Sequence, residues 1–224
     1  MSAKLVVIEG ADAAGKRTQT ALLEGRLKKD GRRVTTVSFP QYSENKIGGL
    51  LRECIDGRRG DFFSLDPLVC ATVFAADKVE TMRRIRPALA QSEVVIFDRY
   101  STANVVHQGA KETDVHKRRT IMQWVYELEH ESLGIPKPDV VIALDVPAAV
   151  RMSLIQKRSL ETGKPIDTTD AHLAHQLAVD EALVVMPALY PNSHIIECMA
   201  AGELREAADI AQQIHLIVHD ILKA

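Results

Sequence analysis

The chain has 224 residues, 46% hydrophobic and 26% charged, the makeup of a folded globular protein; disordered and low-complexity classes are excluded. Its 28 basic and 30 acidic residues leave a formal charge of −2, so no global field draws it to nucleic acid or an anionic membrane. Any polyanion must be met by a local cluster of cations. Cys54, Cys70 and Cys198 are odd in number, widely spaced and without a C-x-x-C pair, which argues against a disulfide framework and a structural zinc. Leu5-Val6-Val7-Ile8 before Glu9 is short of a signal peptide's apolar region, and no run approaches the roughly 18 apolar residues of a membrane span. The expectation is a cytoplasmic protein of one domain over residues 1–224.

In chain order, short β-branched runs alternate with stretches of helical period. Residues 5–8 predict a strand and 16–29 a helix; 34–37 predict a strand, followed by helices over 46–55 and 67–90. A third strand is predicted over 94–97 and a helix over 114–133, then a strand over 140–144 and helices over 148–160 and 170–187. A fifth strand at 195–196 and a helix over 203–222 complete the order. The apolar runs are continuous rather than alternating, as in strands buried on both faces. Strand, helix, strand in this order implies a parallel sheet of about five strands, with helices on both faces in three layers. Ligands of such sheets bind beyond the carboxyl ends of the strands.

At that end of the first strand stands Gly10-Ala11-Asp12-Ala13-Ala14-Gly15-Lys16-Arg17-Thr18, which fits G-x-x-x-x-G-K. The glycines let backbone N–H groups approach phosphate oxygens, Lys16 reaches the outer phosphates, and the next helix adds the positive end of its dipole. The residue after the lysine is ordinarily Ser or Thr, whose hydroxyl ligates Mg²⁺; here it is Arg17. The metal then needs oxygens from phosphates, water, Thr18 or a carboxylate such as Asp98. Asp98 follows the third strand, a position suited to holding Mg²⁺, and Arg99 beside it can clamp a second phosphate bidentately. A donor triphosphate on Lys16 and an acceptor phosphate on Arg99 describe a nucleoside monophosphate kinase.

Further segments narrow this. The loop over 9–19, Phe39-Pro40-Gln41-Tyr42, Thr72-Val73-Phe74-Ala75-Ala76-Asp77-Lys78, and Asp98-Arg99-Tyr100 leading to Asn104 and His107-Gln108-Gly109-Ala110 belong to one pattern. So do Trp124 with Glu127 and Glu129, Leu133-Gly134-Ile135-Pro136-Lys137-Pro138-Asp139, and Leu144-Asp145-Val146-Pro147. Over nearly its whole length the chain resembles the thymidylate kinase (dTMP kinase) family of P-loop nucleoside monophosphate kinases. The resemblance implies conversion of dTMP to dTDP with ATP and Mg²⁺, a step toward dTTP, in a cytoplasmic homodimer.

It also implies residue roles. Asp12 lies near the acceptor's sugar hydroxyl and the metal, Phe74 stacks on the thymine, and Arg99 grips the 5′-phosphate with Asp98 near Mg²⁺. Asn104 bonds the base edge with Gln108 close by, and Phe39 and Tyr42 line the monophosphate pocket. Three positions depart from the family: Lys78 stands for an arginine that reads the base, His107 for a tyrosine near the deoxyribose, and Ala103 for a serine. A basic lid is expected over about 151–170, with Arg151, Lys157, Arg158 and Lys164 around Gly163 and with Asp167 and Asp170 as the acidic pair that follows. Ala13 and Ala14 leave the loop without the arginine that some members carry there, so Arg158 is the expected catalytic arginine. Two alternatives stand beside this reading: a kinase acting on dUMP, dGMP or AMP, and an ATP-binding module without turnover, suggested by Arg17.

Overall fold

A computed structural model describes residues 3–163 and 173–223. Lys164, Asp167 and Asp170 lie outside the described residues, as does the side chain of Arg158.

Five parallel strands form the sheet: β1 Lys4–Gly10, β2 Val34–Ser38, β3 Val94–Asp98, β4 Val140–Asp145 and β5 Ser193–Glu197. All five are parallel, as the buried apolar runs predict, and their spatial order is β2-β3-β1-β4-β5. In register, Ile8 pairs with Asp98 on one side, while Gly10 pairs with Leu144 on the other. The carboxyl ends of β1, β3 and β4 therefore open onto one crevice, at the switch point beside β1.

The central strands β1, β3 and β4 split their residues between two cores, because successive side chains point to opposite faces, whereas β5 gives Ile196 to one core and leaves Ile195 exposed. Val6, Ile8, Val94, Ile96, Ile142 and Leu144 pack against α1 (Lys16–Lys29), through Leu23 and Leu27, and against α8 (Ala207–Lys223), through Ile210, Ile214 and Val218. Val7, Val95, Phe97, Val141 and Ala143 face the other way. They meet α3 (Pro67–Gln91), α4 (Ser101–Gly109), α5 (Val115–Glu127) and α7 (Leu173–Val185). The remaining helices are α2 (Lys46–Ile55) and α6 (Ala148–Thr162).

Local chemistry sets the helix starts. Asp66 caps α3 by accepting from Leu68 N at 2.8 Å, with Pro67 at the first helical position, and Asp114 caps α5 by accepting from Lys117 N at 2.9 Å. The first turn of α2 is capped from another element: the Glu80 carboxylate of α3 accepts from Lys46 N at 3.0 Å and Ile47 N at 2.9 Å. α1 begins after Gly15, has no side-chain cap and carries no acid in its first turn. Its leading N–H groups are left to a ligand.

Three elements and one side chain differ from what the sequence predicts. α4 is absent from the predicted elements, because the side it buries includes Asn104 and Gln108 as well as Val105 and Val106 and so lacks an apolar stripe. The helix predicted over 114–133 ends at Glu127 and continues as a wider π-type turn, Leu128–Ser132. The start predicted for the last helix instead forms strand β7, Glu203–Leu204, paired antiparallel with β6, Met199–Ala200. Arg151, expected among the lid cations, is 1% exposed. It donates to Val146 O, to Asp180 Oδ1 at 2.7 Å and to Gln176 Oε1 at 3.2 Å, joining the root of α6 to α7.

Candidate active site

The loop between β1 and α1 turns through left-handed backbone at Ala13, φ 62°, and Gly15, φ 90°. Gly10, at φ 148°, disfavours a side chain: a Cβ would be strained and would crowd Leu144 O at 3.0 Å and Ala14 Cβ at 3.2 Å. Lys16 is buried and folds over the loop, donating from Nζ to Gly10 O at 2.8 Å and Ala11 O at 2.7 Å. Burial, reinforced by the Arg99 cation, lowers its pKa to about 8. Arg17 and Thr18 point to solvent. Glu9, which the sequence reading gave no role, braces the loop from beneath: its carboxylate accepts from Gly10 N at 2.9 Å and from Thr102 Oγ1 at 2.6 Å.

Arg99 follows β3 with φ 64°, a conformation a non-glycine residue keeps only where its surroundings impose it. Its guanidinium donates through Nη2 to Asp12 and through Nη1 to His107 Nε2 at 3.0 Å. Burial opposes the charge, yet the carboxylates of Asp12, Glu9 and Asp98 overcome that and raise the Arg99 pKa. Because guanidinium only donates, His107 Nε2 must accept, so the imidazole is neutral with its proton on Nδ1. Burial, then the Arg99 charge, lowers the His107 pKa to about 3. The ring stacks at 5.8 Å on His175 of α7.

From Arg99 a cavity of about 350 Å³ runs inward, a size suited to a small organic ligand. All the expected acceptor residues line it: Asp12, Phe39, Tyr42, Phe74, Lys78, Arg99, Asn104, His107 and Gln108. Phe39 and Tyr42 stand on the loop after β2; Phe39 also packs on Phe97 and Tyr100, each at 5.7 Å, so core and wall share it. Phe74 and Lys78 are one turn apart on α3, and Asn104 and Gln108 one turn apart on α4. The sequence reading passed over Arg52, Lys111 and His175, which line the same cavity. They lie on three different helices or helix ends, and no local pattern joins them.

At the far end Lys78 Nζ donates to Glu129 Oε1 at 2.9 Å and to Phe74 O at 3.3 Å. Asn104 Nδ2 donates to the same Glu129 oxygen at 2.6 Å and to Ala71 O at 2.9 Å. Asp98 stands at the carboxyl edge of β3, where its charge acts on both Lys16 and Arg99. Among the described residues its carboxylate accepts no hydrogen bond, and no group of three or more His, Cys, Asp or Glu side chains could hold a metal by itself. No described helix is long and apolar enough to cross a membrane.

Residues 8–189 match the family described as thymidylate kinase. A thymidylate kinase of Mycobacterium tuberculosis (strain ATCC 25618 / H37Rv) is 35% identical over 146 residues, 64% of this chain and 66% of that protein. A probable thymidylate kinase of Thermococcus onnurineus is 31% identical over 224 residues, 97% of this chain and 98% of its own length. Among solved structures, the thymidylate kinase from Candida albicans superposes with a TM-score of 0.72 at 21% identity, covering 98% of this chain and 92% of that one. At that identity the likeness concerns the fold.

Proposed function

The chain belongs to the thymidylate kinase family, and from that membership we propose that it transfers the γ-phosphoryl group of ATP to dTMP, yielding dTDP and ADP. The observation that carries this reading is the joining of two anion sites at one sheet edge. Lys16 and the uncapped start of α1 form one, and Arg99, at the mouth of the cavity, forms the other.

Phosphoryl transfer needs positioning and charge neutralisation more than covalent chemistry. Phosphate oxygens take the Lys16 ammonium from the Gly10 and Ala11 carbonyls and the leading N–H groups of α1. The monophosphate competes with Asp12 for Arg99, releasing the Asp12 carboxylate toward the sugar. Because the attacking group is already a phosphate anion, no general base is required. Phe74 gives an aromatic face to the base, with Lys78, Asn104 and Gln108 at its edge. Phe39, Tyr42 and His107 enclose the rest.

The donor set fits Mg²⁺ held chiefly by phosphate oxygens and water, with Asp98 as its protein carboxylate. Arg17 offers no oxygen, and Asp12 can serve only once Arg99 has left it. When bound, the ion neutralises phosphate charge. Arg158, carried on α6, is the proposed lid arginine. The protein is further read as a cytoplasmic homodimer of single-domain subunits. Sedimentation velocity tests the pairing.

The direct test is ADP release with ATP and Mg²⁺ across dTMP, dUMP, dGMP, dCMP and AMP. Preferential turnover of dTMP is expected; turnover of another acceptor instead would move the specificity, and none would refute the kinase reading. Arg99→Ala should lower kcat/KM for dTMP by roughly 100-fold or more while KM for ATP changes little. An equal loss toward both substrates would remove Arg99 from the acceptor site.

A further inference from the structure

We propose that Glu129 is the residue that fixes which base edge the cavity accepts, by holding one donor and one acceptor in place from behind. The proposal rests on the reading of the cavity as the acceptor site and deepens it. Glu129 is fully buried, with its side chain 0% exposed and that of its partner Lys78 4% exposed. It enters the core because the chain leaves α-helical pitch at Leu128–Ser132, a widening that re-aims side chains. The turn is pinned from its other side by His130, whose Nδ1 pairs with Ile135 O at 2.8 Å and whose Nε2 pairs with Tyr190 Oη at 2.9 Å.

The hydrogen bonds run outward from Glu129 in a forced sense. Its Oε1 and the Ala71 carbonyl are both acceptors, so the Asn104 atom that meets them must be the Nδ2 donor. Asn104 Oδ1 is thereby turned toward Gln108 and accepts from its Nε2 at 3.4 Å. That leaves Gln108 Oε1 buried and without a partner among the described residues, on a side chain that lines the cavity, so it is the acceptor still to be satisfied when a base enters. In parallel, Glu129 holds the Lys78 ammonium, two of whose three N–H groups are used by Glu129 and Phe74 O. The third remains for the cavity that Lys78 lines.

A donor from Lys78 and an acceptor from Gln108 in the lining of one cavity match the carbonyl and adjacent ring N–H of a keto base such as thymine or uracil. They oppose the amine and bare ring nitrogen of cytosine. Other charged or titratable groups around this end are Tyr100 and Tyr190, on which Glu129 acts, and Arg99, His107 and Lys111 farther along the cavity. Asp77, beside Lys78 on α3, is engaged by Gln41 N at 3.1 Å and Asn45 Nδ2 at 2.8 Å. Glu129 touches no substrate in this scheme: it is a positioning residue, and the second oxygen of its carboxylate stays buried and unpartnered.

The test compares dTMP with 5-methyl-dCMP, which differ only along the base edge. Lys78→Met examines the cavity reading, and its discrimination should fall roughly 10- to 100-fold. Glu129→Met removes both acceptor oxygens at similar volume and should lower discrimination by a comparable factor. KM for dTMP should rise while kcat and KM for ATP hold, because the phosphates react at the other end. Should Glu129→Met not fold, the double variant Lys78→Met/Glu129→Met, which buries no lone charge, should discriminate less than Lys78→Met alone. Unchanged discrimination in Lys78→Met sinks the base-site reading. A drop there without one in Glu129→Met, an equal loss of both acceptors in Glu129→Met, or a double variant equal to Lys78→Met sinks the proposal about Glu129.

Discussion

Lys16 carries its ammonium where burial and the nearby Arg99 cation both disfavour charge, which lowers its pKa to about 8. Phosphate binds the protonated form, so the sign of the pH effect follows directly. Below about pH 8 the free enzyme is ready to bind and KM for ATP should be flat. Above it the ready fraction falls, and KM for ATP should climb by up to about tenfold per pH unit while kcat at saturating ATP holds. Initial rates between neutrality and alkaline pH check this, and a flat KM would show that the ammonium is not what ATP selects. At this scale the sequence displayed Lys16, Arg99 and Asp12 through their motif positions. It did not display that Arg99 is held between Asp12 and His107, because the left-handed turn at Arg99 that brings them together carries no sequence signature. Glu129 belongs to the family pattern but carries no role there for a similar reason: nothing local shows that the π-type turn takes its carboxylate inside.

Helices deliver the cavity walls in pairs one turn apart, and their placement depends on close backbone approach. Gly48 of α2 packs on the loop that bears Phe39 and Tyr42; a Cβ there would stand 1.9 Å from Gln41 O. A main-chain carbonyl cannot swing aside, so Gly48→Ala should destabilise by about 1–3 kcal/mol and raise KM for dTMP. Gly49 is the control. Its Cβ would meet only Tyr42 O, at 3.8 Å, so Gly49→Ala should be neutral or stabilise by up to about 1 kcal/mol, as alanine does in helices. Urea unfolding of the two variants separates these outcomes, and equal midpoints would show that α2 is not held by this contact. The two glycines are adjacent in the sequence, and only packing decides which of them faces the loop. Likewise, Arg151 reads as one more lid cation in a basic stretch, and only the packing of α6 against α7 turns it into a buried strut.

Across the whole molecule, one sheet serves two cores, and alternate residues of its central strands enter one or the other. Ile142 is fully buried near the centre of β4, between α1 and α8. Ile142→Ala should cost about 2–5 kcal/mol through lost burial and the cavity left behind. If the sheet ties the two layers together, that loss should appear as a single cooperative transition in urea, followed by both tryptophan fluorescence and circular dichroism. Separate transitions would show that the layers on either side of the sheet unfold independently.

The sequence by itself determined the sheet, its parallel sense and the phosphate loop, because these are periodic or contiguous features. Continuous apolar runs such as Val94–Phe97 and the glycine spacing from Gly10 to Lys16 are written in neighbouring residues. Tertiary structure decided which polar groups face one another: Arg99 with Asp12 and His107, Lys78 with Glu129, Asn104 with Glu129. Glu129 alone is 51 residues from Lys78 and 25 from Asn104. Local propensity and periodicity act over a few residues, whereas hydrogen bonds and charge act through space. Only the folded sheet and its helices set those distances.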